Sequence, residues 1–213
     1  MINVSFKKLI LEKYFLAIKT KNKSEDTSGF TLLEVIVVVV IIGILSAIAA
    51  PSWIAFTKRQ RLNKANDIVL SAIQDAQRQA KKTKVSYSVS FAVNADQPYF
   101  AVYRNNPTFN ISSKNFSDRA YWKPLGEDIG IKPEEIWLGS KPPNSQLSIL
   151  NNTNKIETVT FNYLGIPEDS VPVSIVTAIP KLNNKTQAGV TKRCVIIQTI
   201  LGGTRIAKDN DCN

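Results

Sequence analysis

Twenty-two consecutive residues without a charge, VIVVVVIIGILSAIAAPSWIAF from Val35 to Phe56, set the tightest limit on how this 213-residue chain can fold. At about 1.5 Å per residue a helix of that length covers the roughly 30 Å hydrocarbon core of a bilayer. A helix buried inside a soluble domain rarely stays apolar on every side for so long. The run is therefore read as a membrane-spanning segment.

Beyond Phe56 the pattern changes from uniform to striped. Leu62, Ala65, Val69, Ala72, Ile73, Ala76 and Ala80 recur at helical spacing, with Arg61, Lys64, Asp67, Asp75 and Arg78 between them. Residues 31–82 can thus form one helix, about 78 Å long. Gly43 and Pro51 are its weak points, and a kink is expected because proline lacks an N–H and crowds the preceding turn.

From Val85 the period becomes two: Val85, Tyr87, Val89 and Phe91 alternate with Ser86, Ser88 and Ser90, which predicts a half-buried strand. Further strands are expected at Tyr99–Arg104, Gln146–Leu150, Ile156–Tyr163, Val171–Ala178, Arg193–Leu201 and Thr204–Ala207. Stretches such as Asn105-Asn106-Pro107, Lys141-Pro142-Pro143-Asn144 and Asn183-Asn184 act as turns. Residues 111–137 show no period. The expected class is α+β: a long N-terminal helix, half membrane and half amphipathic, packed on an antiparallel sheet or sandwich.

The 27 Lys and Arg outnumber the 17 Asp and Glu, a balance suited to anionic surfaces such as nucleic acid or acidic lipid. Histidine is absent, which removes the commonest general base and most catalytic zinc sites. No nucleotide-binding glycine loop or paired-carboxylate motif stands out, so neither an enzyme nor a cofactor is expected. Cys194 and Cys212 are the two cysteines. They are either a pair of buried thiols or one disulfide in an oxidising compartment, and the even count favours the bridge.

Directly before the apolar run stands Ser28-Gly29-Phe30-Thr31-Leu32-Leu33-Glu34, preceded by a polar leader with Lys19, Lys21 and Lys23. Here the sequence resembles the type IV pilins and type II secretion pseudopilins. The resemblance implies cleavage by a prepilin peptidase between Gly29 and Phe30, methylation of the new Phe30 amine, and a role for Glu34 in assembly. It also implies a cytoplasmic leader, an inner-membrane helix with a periplasmic head, an inner-membrane assembly platform, and other pilins as filament partners.

Read by physics alone, a carboxylate at the edge of a membrane helix is a functional candidate. Thr31 to Glu34 equally fits an S/T-x-x-E capping box. A signal peptide cut near Ala47-Ile48-Ala49 fits less well, since the apolar run continues to Phe56 and Glu34 stands where such peptides are positive.

The segments that follow resemble the GspH/FimT group of minor pilins and pseudopilins, some of which bind DNA through a C-terminal Gly-Arg-x-Arg motif. Gly202, Gly203 and Arg205 keep the first glycine and last arginine of it. The alternative reading is therefore a DNA-binding subunit for DNA uptake. Its candidate contacts are Lys192, Arg193, Arg205 and Lys208, in a stretch where Lys181 and Lys185 also stand and no acidic residue occurs between 181 and 208. The organisation expected is a leader over 1–29, an assembly helix over 30–56, an amphipathic helix over 57–83, and a β-rich head over 84–213.

Overall fold

The computed structural model describes residues 29–150, 155–169 and 171–212, so the leader up to residue 28, with Lys19, Lys21 and Lys23, lies outside the described residues. Two compact units divide between Ile48 and Ala49. Helix α1 (Leu32–Thr83) contributes to both and continues through Gly43 and Pro51. Pro51 has no N–H for the carbonyl of Ala47, yet residues on both sides of it remain helical.

In the second unit α1 is the spine of the head. Its buried residues are Leu62, Ala65, Asn66, Val69, Ala72, Ile73, Ala76 and Ala80, the stripe expected from spacing plus Asn66. The apolar ones share one core with Val89, Phe91, Val159, Phe161, Val173, Ile175, Val195 and Ile197. Burying a side chain such as Ile73 or Leu62 contributes about 1.5–3 kcal/mol. The alanines let the sheets approach the helix closely.

Those sheet residues come from two antiparallel sheets. The first has the order β3-β2-β1-β6, with β1 (Tyr87–Asn94), β2 (Gln97–Arg104), β3 (Lys123–Pro124) and β6 (Glu157–Phe161). The second has the order β5-β4-β7-β8-β9, with β4 (Trp137–Lys141), β5 (Ser148–Ile149), β7 (Val173–Lys181), β8 (Asn184–Ile197) and β9 (Thr204–Lys208).

The strand predicted from Val85 to Phe91 begins at Tyr87 and is buried on both faces rather than one. Val89 and Phe91 face the helix core. The serines are covered as well: Ser88 meets Thr160 Oγ1 at 2.9 Å, and Ser90 meets Tyr103 Oη at 2.9 Å and Thr158 Oγ1 at 2.7 Å. Hydroxyls pairing with hydroxyls let a polar face be buried. The cover comes from the aperiodic stretch, where Ile111 and Trp122 pack with Ala92 and Ala101.

Two other strands differ from expectation. β4 has no counterpart among the expected strands, because WLGSK alternates poorly and Gly139 leaves room for the Trp137 ring. β8 starts at Asn184, nine residues before the predicted Arg193, and ends at Ile197 instead of Leu201. Its first half is polar and exposed, held by pairing with β7 across Lys181 and Asn184. Its end is set by a turn in which Gly202 adopts φ +78° and donates to the Thr199 carbonyl at 2.9 Å.

Candidate functional site

The first turn of α1 is built by Thr31. Its Oγ1 accepts the Glu34 N–H at 3.2 Å, and its carbonyl accepts the Val35 N–H at 3.2 Å. That is N-capping geometry, and it places Glu34 in the first turn, where the positive end of the helix dipole favours a carboxylate. Phe30 precedes the cap and is 82% exposed. A methyl added at Gly29 or Gly43 would meet nothing within 4 Å.

From Gly29 to Phe56 every residue is exposed, including Leu32, Leu33, the Val35–Ile42 run, Leu45, Ile48, Trp53, Ile54 and Phe56. An apolar surface on all sides of a helix, left uncovered by the described residues, calls for lipid or other helices. The helix is long and apolar enough to cross a bilayer.

The family described as "Prokaryotic N-terminal methylation motif" matches residues 26–50. Those residues therefore carry an N-terminal methylation motif. The chain's match to the type IV major pilin protein PilA of Myxococcus xanthus (strain DK1622) is 45% identical over 60 residues, 28% of this chain and 27% of that relative. The chain thus matches about a quarter of that pilin's length. Among solved structures, it matches the type IV minor pilin FimU of Pseudomonas aeruginosa (strain PAO1) with a TM-score of 0.46 and 14% identity, covering 71% of this chain and 92% of that one.

The head carries the remaining candidate residues. Cys194 on β8 and Cys212 form a disulfide, with Cα atoms 5.8 Å apart. The bridge sits in a small core with Trp137, Val176, Ala178, Ile196 and Ala207 on the side of the second sheet away from α1.

The basic residues are not gathered on one face. In the β8–β9 ladder Arg193 pairs with Lys208, beside the helix-facing Val195–Ile206 pair, whereas Arg205 pairs with Ile196 on the disulfide side. Strand alternation puts Lys192 with Cys194 and Ile196 on that second side. Arg193 is also occupied: its Nε donates to Asn63 Oδ1 at 3.0 Å and its Nη1 to the Lys192 carbonyl at 2.7 Å, with Asp209 at 3.5 Å. Lys185 is ion-paired with Glu134. The stretch without acids in sequence is thus met by acids from elsewhere in the fold.

Spacing alone did not reveal the residues that fix the head on the helix. Arg61 Nη1 donates to both oxygens of Glu135 at 2.6 and 2.8 Å. Gln77 Nε2 donates to the Gly165 carbonyl at 2.8 Å, with those of Leu201 and Gly202 at 3.3 and 3.4 Å. Both interrupt the apolar stripe at its margins, which was the available signal.

Proposed function

We propose that this protein is a minor pilin or pseudopilin: a non-enzymatic subunit of a type IV pilus or type II secretion pseudopilus that assembles through α1. The observation that carries this reading is the uncovered apolar surface from Phe30 to Phe56 beside an exposed N-terminal turn. A prepilin peptidase cuts between Gly29 and Phe30, and the Phe30 amine is methylated. The helix is held in the inner membrane with the head on the periplasmic side until an assembly platform passes it to the filament. There its apolar surface meets equivalent helices of other pilins, and Glu34 pairs with the Phe30 amine of a neighbour.

Intact-mass measurement of membrane-extracted protein tests this. A mature start at Phe30 with one added methyl is expected; an uncleaved Met1 or a start at Ala50 overturns the reading. Gly29→Ala blocks processing, whereas Glu34→Ala is processed but enters filaments poorly. Normal filament entry by Glu34→Ala would reduce Glu34 to a helix cap.

A further inference from the structure

The second sheet is laid along α1 in a definite direction. Arg193 of β8 meets Asn63 at 3.0 Å, and the loop after β8 meets Gln77 through Leu201 and Gly202 at 3.3 and 3.4 Å. Asn63 and Gln77 are about 21 Å apart along the helix. β8 therefore runs in the direction of α1, and the β7–β8 hairpin that precedes Arg193 reaches back past Asn63. Its tip shares a pocket with Lys58 and Arg61, lined also by Ile179, Pro180, Leu182 and Lys185. Lys58 is two residues beyond Phe56, where the uncharged run ends.

The hairpin carries two bare apolar side chains, Leu182 in its otherwise polar turn and Val190 on β8. Leu182 is 92% exposed and Val190 is 88% exposed. Single exposed apolar residues are ordinary, but here they stand among Lys58, Lys181 and Lys185, and Lys58 follows the exposed Trp53 and Phe56 by five and two residues. Glu134 and Glu135 neutralise Lys185 and Arg61. Among the described residues Lys181 donates to the neutral Gln187 Oε1, at 2.9 Å, and meets no carboxylate, so its charge and that of Lys58 are the surplus on this rim. Exposed apolar side chains flanked by lysines, close in the chain to an aromatic-ended apolar segment, fit an interface of acyl chains and phosphates.

We propose that the β7–β8 hairpin is a second, peripheral membrane contact. Before assembly, Leu182 and Val190 enter the headgroup region of a bilayer containing anionic lipid, with Lys58 and Lys181 against lipid phosphates. This rests on the membrane reading of residues 35–56 given above.

The test uses the full mature chain in vesicles of phosphatidylcholine alone, or with about a third phosphatidylglycerol. Leu182→Cys is labelled with a fluorophore, the native cysteines being bridged, and quenched by lipid carrying a shallow nitroxide. Ile44→Cys with a deep nitroxide reports the spanning helix. Leu164→Cys, next to Gly165 at the Gln77 end, is the unquenched control.

Quenching at position 182 is expected to be about fivefold stronger with phosphatidylglycerol, and Lys58→Gln with Lys181→Gln removes the difference. Quenching at 44 but not at 182 overturns the hairpin contact and leaves the membrane helix standing. Quenching at neither overturns both. Equal quenching in the two lipids overturns the anionic partner. Cross-linking of unquenched Leu182→Cys to a second copy overturns the lipid in favour of a subunit contact.

Discussion

Among the described residues, α1 from Leu32 to Phe56 has no buried side chain, whereas from Leu62 to Ala80 the same helix buries eight residues in the head. The two halves differ in kind as well as degree. The first is rich in Val and Ile on every side, residues of modest helix propensity in water that suit lipid. The second is striped and half of its buried residues are alanine, which brings the helix backbone close to two sheets. One continuous helical segment of sequence thus holds two solutions to the same problem. One half finds its partner within the chain, and the other must find it outside.

The sharpest way to break this contrast is truncation in each half. Ile73→Ala, in the fully buried core, should destabilise the head by about 3 kcal/mol, read as a lower urea midpoint by tryptophan fluorescence. Leu45→Ala should leave that midpoint where it was. Equal losses would mean that the first half also packs on the head.

Leu45→Arg reverses the roles. A charge near the middle of a spanning helix costs roughly 2.5–3.5 kcal/mol on insertion scales, so the carbonate-resistant membrane fraction should fall while the urea midpoint holds. Thr31→Ala removes the cap of the first turn, a loss of about 1 kcal/mol. Faster amide exchange at Glu34 and Val35, with none at Leu62–Ala80, is the expected signature.

The smallest effect belongs at the join. Arg61 and Glu135 are each about a third exposed, with 36% and 33% of the side chain accessible, and a pair that wet contributes less than about 1 kcal/mol. A double-mutant cycle of Arg61→Ala and Glu135→Ala should return a coupling of that size. A larger value would make the join a structural pivot of the head.

The long helix and its stripe were legible because helical periodicity is local and the buried positions all answer to one face. The cap at Thr31 was legible for the same reason, since its partner is three residues away. The faces of β1 were not, because the burial of Ser88 and Ser90 depends on Thr158, Thr160 and Tyr103, residues 13 to 72 positions distant. β8 escaped notice where its strand character comes from β7 rather than from its own alternation. The clustering of cations in sequence gave no guide to their faces, because neighbours on a strand point apart and Glu134 and Asp209 arrive from other elements.

Strand β9 is the outer strand of the larger sheet, joined to β8 by a ladder from Thr204 to Lys208. An outer strand pulled by a loose end comes away one rung at a time, like a zipper. Here the zipper has a stop: Cys212, just past the last rung, is bonded to Cys194 on the neighbouring strand. Tension applied to the tail passes through sulfur into β8, and from Arg193 across to Asn63 on the spine. A head tugged in this way carries the load on covalent bonds and on the helix, and the five-residue ladder is spared.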